Sequence, residues 1–161
     1  MNRVGIAVHG GAGDPRPADQ DGARLAALAR SLEAGHALLA AGGSALDAVV
    51  AAVEVLEDDG GFNAGRGSVP TAAGTVEMDA GVADGARRRV GAVAAVRGLR
   101  HPVAAARAVL DDGRHVILAG EGAVEFARAA GLGFERDGWF LDTDAGGVAG
   151  SAPSPGTVGA V

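Results

Sequence analysis

Apolar positions along the 161-residue chain repeat with two different periods, and the alternation between them sketches the elements. Val4, Ile6 and Val8 alternate with Gly5 and Ala7 in RVGIAV, which predicts an opening strand from Arg3 covered on both faces. Leu25, Leu28, Leu32 and Leu39 then recur at helical spacing until Gly42 and Gly43 stop the pattern, predicting a first helix. Ser44 followed by Asp47 has the form of an N-terminal cap, and Leu46, Val49, Val50 and Val53 make one apolar stripe, predicting a second helix. LEDDGGFNAGRGSV is too rich in glycine for either element and reads as a structured loop. Val76, Met78 and Ala80 alternate with Thr75, Glu77 and Asp79, and VGAVAAV follows, so an antiparallel hairpin turning at Asp84 and Gly85 is expected. HPVAAARAVLDDG reads as a helix with Pro102 in its first turn, HVILAG as a buried strand, and EGAVEFARAAG as a helix ended by Gly131. Regularity then fades. Residues 142–156 (DTDAGGVAGSAPSPG) have no periodicity and read as an exposed linker to a last short strand headed by Thr157. The pattern describes one mixed α/β, layered domain.

Composition narrows this picture. Hydrophobic residues make up 48% of the chain but aromatics only 3%, and 28 residues are glycine, so the core must come from Ala, Val and Leu packed at close approach. The net charge is -6 and every basic residue is Arg, with no basic run beyond Arg87–Arg89, which argues against a nucleic-acid partner. There is no Cys, hence no disulfide framework or thiolate metal site. The apolar start is too short for an export signal, and ALDAVVAAVEVL carries Asp47 and Glu54 and falls short of the roughly 20 residues that span a bilayer. A cytoplasmic protein without a membrane partner is expected.

Candidate chemistry is sparse. HGGAG, His9 to Gly13, leaves a strand as a tight glycine turn whose backbone N–H groups could face an anion, but Pro15 and Pro17 prevent a dinucleotide-binding helix start. His9, His36, His101 and His115 lie on separate elements and share no metal-ligand spacing. Glu57, Asp58 and Asp59 read as a solvated acidic helix end, although a long glycine loop needs something to order it and a cation on backbone carbonyls is one solution. Glu77 and Asp79 share a strand face, as charges on an edge strand commonly do. Asn63 would ordinarily make an Asx turn. Thr157 is different in kind: a hydroxyl is a weak nucleophile unless a base takes its proton, and the residue's own amine can do so once the Gly156–Thr157 bond is cut. Spacing alone leaves that reading open, because Gly-Thr pairs are common.

The blocks AVHGGAG, GGSALDAVVAAVEVLED, FNAGRGSVPTAAGTVEMDA, VGAVAAVRGLRHPVAAARAVL, HVILAGEGAVEFA and GTVGAV, in this order and over nearly the whole chain, resemble the plant-type L-asparaginase and isoaspartyl peptidase family of N-terminal-nucleophile hydrolases. The resemblance implies an αββα sandwich made of two chains produced by autocleavage. Residues 1–156 would be the α-subunit region and 157–161 the start of the β subunit. It further implies Thr157 as nucleophile, Gly156 as the scissile carbonyl, and supporting roles for Asn63 and for Gly10 and Gly11. Main-chain oxygens of Leu56, Glu57, Asp59, Phe62, Ala64 and Arg66 would hold a structural sodium ion, with no cofactor needed for catalysis. The implied reactions are hydrolysis of L-asparagine to aspartate and ammonia and of β-aspartyl dipeptides. The implied partner is the protein's own β subunit, in an (αβ)2 assembly. The family's substrate-gripping and oxyanion groups belong to segments this chain does not contain, so the 161 residues alone are expected to be inactive. Glycosylasparaginase and taspase-like hydrolases share the threonine design and stay open, as does a non-catalytic fragment with an interaction role.

Overall fold

The computed structural model describes residues 4–11, 22–141 and 157–161. Its elements are β1 (Val8–Gly10), α1 (Gly22–Ala40), α2 (Ala45–Glu57), β2 (Met78–Asp84), β3 (Arg89–Val96), α3 (Pro102–Asp112), β4 (Ile117–Ala119), α4 (Gly120–Ala129), α5 (Asp137–Leu141) and β5 (Val158–Ala160). They form a mixed α/β structure with two small sheets, a three-stranded one in the order β2-β3-β4 and an antiparallel pair β1-β5.

The β2–β3 hairpin forms as its alternation predicts. Its turn is wider than Asp84–Gly85, because strand pairing ends at Asp84 opposite Arg89. Asp84 Oδ1 accepts the N–H groups of Ala86 and Arg87, and Arg88 takes the left-handed conformation at φ 53°. Near the other end one extra residue enters β3 between the Met78–Val96 and Ala80–Val93 pairs. Ala95 there has φ 50°, and Asp79 Oδ1 accepts its N–H at 2.8 Å. Asp79 therefore closes a bulge rather than merely facing solvent.

Helix α3 crosses between β3 and β4, which run parallel, and lies on the sheet. Val103, Ala106 and Leu110 join Leu46 and Val82 on one side. Ala105 and Val109 join Val93, Val96, Leu99, Val124 and Phe140 on the other. Close approach is possible because Gly91 has no side chain: a Cβ there would meet the Ala106 carbonyl and the Leu110 nitrogen. Gly113, at φ 72°, ends α3 with its N–H on the Val109 carbonyl.

Helix α1 forms where the leucine spacing predicts it, on a packing face of its own, and two strand expectations need correction. Helix α1 does not bury its leucine stripe: Leu25 is 62% exposed, and the buried face is Ala27, Ser31 and Gly35. Small residues win because α1 and α2 touch nearly backbone to backbone. Ser31 Oγ donates to the Ala52 carbonyl at 2.7 Å, and a Cβ on Gly35 would lie 2.9 Å from the Ala48 carbonyl. The opening strand is only Val8–Gly10 and Val4 is exposed, since β5 supplies a single short partner. HVILAG contributes only Ile117–Ala119, and among the described residues β4 pairs with β3 alone, which leaves Ile117 exposed.

Candidate active site

Thr157 heads β5, which pairs with β1 in the register Val158–Gly10, Gly159–His9 and Ala160–Val8. Beyond the last pair, the Gly11 N–H donates to the Thr157 carbonyl at 3.0 Å. Gly11 has φ 103°, a conformation that glycine adopts without steric cost. The exposed threonine is thus anchored by its backbone to the His-Gly-Gly turn. Gly156 and the expected linker 142–156 lie outside the described residues.

The glycine loop after α2 closes on the same place. A Cβ on Gly10 would lie 2.6 Å from Phe62 Cε1 and 2.7 Å from Leu28 Cδ2, so the β1 backbone sits directly on the Phe62 ring. Phe62, Leu56 and Ala27 form a small core with Leu28 and Val158, which fastens β5 to the end of α2. Asn63, next to Phe62, accepts the Val69 N–H on Oδ1 at 2.9 Å. That bond spans six residues and closes the whole loop, unlike the two-residue Asx turn its type suggests. Thr157, Asn63, Ser68 and Glu57 line one cavity of about 940 Å³ bounded by α2 and the β2–β3 surface.

The loop interior suits a hard cation held by carbonyl oxygens. Gly65 and Gly67 take φ 53° and 86°. A Cβ on Gly67 would lie 2.6 Å from the Gly60 carbonyl and 2.7 Å from that of Phe62, so carbonyls converge on a hollow a side chain would fill. The Glu57 carbonyl accepts the Arg66 N–H, and the Leu56 carbonyl accepts those of Asp58 and Asp59. Neutral oxygen donors of this kind fit an alkali or alkaline-earth ion rather than a soft metal. Among the described residues no group of three or more His, Asp or Glu side chains is arranged to hold a metal ion.

The acidic run is not the solvated helix end its sequence suggests. Glu57 is 3% exposed; Oε1 accepts the Val103 N–H at 3.0 Å, while Oε2 is buried with no hydrogen-bond partner among the described residues. Burial pushes its carboxyl well above the usual value, against the lowering effect of the Val103 bond. Asp58 takes a two-pronged bond from Arg100, at 3.0 Å to each oxygen, and a third from His101 Nε2 at 3.0 Å. Burial works against these bonds, and they hold its pKa below the ordinary carboxylate value. Asp59 joins Arg30 of α1 at 2.8 Å and accepts the Gly61 N–H. All three carboxylates therefore fasten the loop to neighbouring elements. One signal for Glu57 was in the sequence: it extends the stripe Leu46, Val49, Val50, Val53 by one more helical turn.

The family profile described as Asparaginase matches residues 2–145, and the chain belongs to that family. It is 47% identical over 136 residues to the isoaspartyl peptidase of Salmonella typhimurium strain LT2, covering 82% of this chain and 44% of that protein. It is 48% identical over 129 residues to the plant-type L-asparaginase of Pyrococcus abyssi, covering 80% of this chain and 42% of the relative. With the isoaspartyl peptidase/L-asparaginase of Danio rerio it shares 41% identity over 168 residues, covering 97% of this chain and 54% of the relative. The chain spans about half the length of the curated relatives it matches. Among the described residues no helix is long and apolar enough to cross a membrane.

Proposed function

We propose that this chain is the α-subunit region, with the first β-subunit residues, of a threonine hydrolase that cleaves L-asparagine and β-aspartyl dipeptides. The observation that carries the reading is the position of Thr157. It starts β5, is held by Gly11, and shares a cavity with Asn63 on the ordered glycine loop of an asparaginase-family chain.

Maturation begins when the Thr157 hydroxyl adds to the Gly156 carbonyl. The peptide C–N bond breaks as the C–O ester forms, which frees the Thr157 amine, and water then hydrolyses the ester to the Thr157 hydroxyl and a Gly156 carboxylate. In catalysis that amine accepts the hydroxyl proton, and Oγ attacks the side-chain amide of asparagine or the isopeptide carbonyl. Ammonia or the amino-terminal group of the next residue leaves with the proton, and water then releases aspartate. No catalytic cofactor takes part. Gly10 and Gly11 support the nucleophile's strand, and Asn63 sits on the loop beside it.

A sodium ion held by main-chain oxygens of Leu56, Glu57, Asp59, Phe62, Ala64 and Arg66 would supply a fixed positive charge that orders this loop. Family membership supports an αββα sandwich completed by the protein's own β subunit, in an (αβ)2 assembly. The test is ammonia release from asparagine and dipeptide hydrolysis by the complete protein. Wild type is expected to be active and Thr157→Ala inactive, and the 161-residue chain alone is expected to have no appreciable activity. Activity that survives Thr157→Ala would overturn the assignment.

A further inference from the structure

The backbone and side chain of Glu57 face different tasks. Its carbonyl belongs to the glycine loop, where it receives the Arg66 N–H at 2.7 Å. Its carboxyl reaches α3. His101, the residue that precedes this helix, makes no side-chain cap, and Glu57 Oε1 supplies an acceptor from α2 to the Val103 N–H at 3.0 Å. One carboxyl thereby joins the end of α2, the start of the loop carrying Asn63, and the first turn of α3.

The second oxygen is unexplained by these contacts. Oε2 is buried without a partner among the described residues, an arrangement that costs free energy unless a donor arrives. The nearby cations serve other groups: Arg100 binds Asp58 and Glu135 and lies over the Trp139 ring, and His101 binds Asp58. The neighbouring ionisable side chains, Glu54 and Asp58, are acceptors like Glu57 itself. Glu57 nevertheless lines the cavity shared with Thr157, and the matched relatives carry about as much chain again as this one spans.

We propose that Glu57 is a positioning residue of the threonine site, holding α3 with Oε1 while Oε2 accepts a hydrogen bond from a donor on the remaining half of the complete protein. The contact locks that half, with the strand headed by Thr157, against the loop that carries Asn63. The inference rests on the reading of this chain as part of a longer threonine hydrolase.

Glu57→Gln separates the two oxygens. Gln keeps one acceptor for Val103 and turns an N–H2 toward the incoming donor, with the side-chain volume unchanged. In the 161-residue chain, where no donor arrives, thermal unfolding of Glu57→Gln is expected to match wild type or rise. In the complete protein its midpoint is expected to fall by about 3 °C or more, and kcat by about tenfold with KM changed less than about twofold. A variant chain that folds but fails to assemble with the other half also supports the contact. A wild-type midpoint and kcat in the complete protein, or an equal loss in both forms, would overturn it. If wild type hydrolyses nothing while the stability difference persists, the functional reading fails and the contact stands.

Discussion

The N–H of Gly11 donates to the carbonyl of Thr157 at 3.0 Å, so the glycine turn that ends β1 sets the backbone height of the threonine heading β5. One residue earlier, Gly10 rests on the Phe62 ring, and the same loop carries Asn63. Three segments far apart in sequence are thereby fixed to one another by one backbone hydrogen bond and one ring packed on backbone.

Gly10→Ala should disturb this arrangement directly. The new methyl would meet Phe62 and Leu28 at 2.6 and 2.7 Å, and both side chains must turn away. Displacement of the nucleophile's strand by a fraction of an ångström is expected to slow cleavage at Gly156–Thr157 in the complete protein by about tenfold or more. Time courses by gel measure it, and a wild-type rate would contradict the account.

Asn63 separates loop order from chemistry. Asn63→Ala removes the acceptor for the Val69 N–H and is expected to cost about 1 kcal/mol in urea unfolding. Asn63→Asp keeps that acceptor but loses the amide donors, so stability should recover while hydrolysis of asparagine stays impaired. Full activity in Asn63→Asp would remove Asn63 from the site.

Much of this architecture is legible in the sequence where local chemistry decides it. Ser44 caps α2 as its spacing with Asp47 announces: the hydroxyl accepts the Asp47 N–H at 3.1 Å and donates to its carboxylate at 2.7 Å. The β2–β3 alternation likewise survives from Met78 to the turn, interrupted by the bulge at Ala95. Helix α1 forms where the leucine spacing predicts it, but its packing is set by Ser31 and Gly35 against Ala48 and Ala52, where smallness matters more than hydrophobicity. Acidic neighbours hide the burial of Glu57, and only the fold brings Val103 to it from 46 residues away. Gly156 and the 142–156 linker belong to the part that only sequence describes.

Gly91 tests the packing of α3 on the sheet. Gly91→Ala would drive a methyl into the Ala106 carbonyl and to 2.5 Å from the Leu110 nitrogen, both backbone atoms that cannot rotate aside. A loss of about 2 kcal/mol or more is expected in equilibrium unfolding. A neutral result would mean that the helix does not lie against β3 as closely as described.

Asp47 gives the stability a pH dependence of known sign. A hydrogen bond from Ser44, and then one from Arg107 with the charge of that guanidinium, hold its pKa below 3.8. A carboxyl depressed on folding contributes stability above its unfolded value and loses it as pH falls through the lower folded value. The group is half exposed, so solvent screening limits the effect. Asp47→Asn is expected to cost about 0.5 kcal/mol near neutral pH, and the difference should close once the pH drops well under 3.8. Parallel urea titrations at the two pH values measure this, and a constant difference would contradict it.

The central claim is that Thr157 becomes an amino-terminal nucleophile, and the intact mass of the complete protein tests it most directly. The account predicts two chains, the second beginning at Thr157, and one uncut chain for Thr157→Ala. A wild-type protein that hydrolyses asparagine while its mass shows the Gly156–Thr157 bond intact would contradict it.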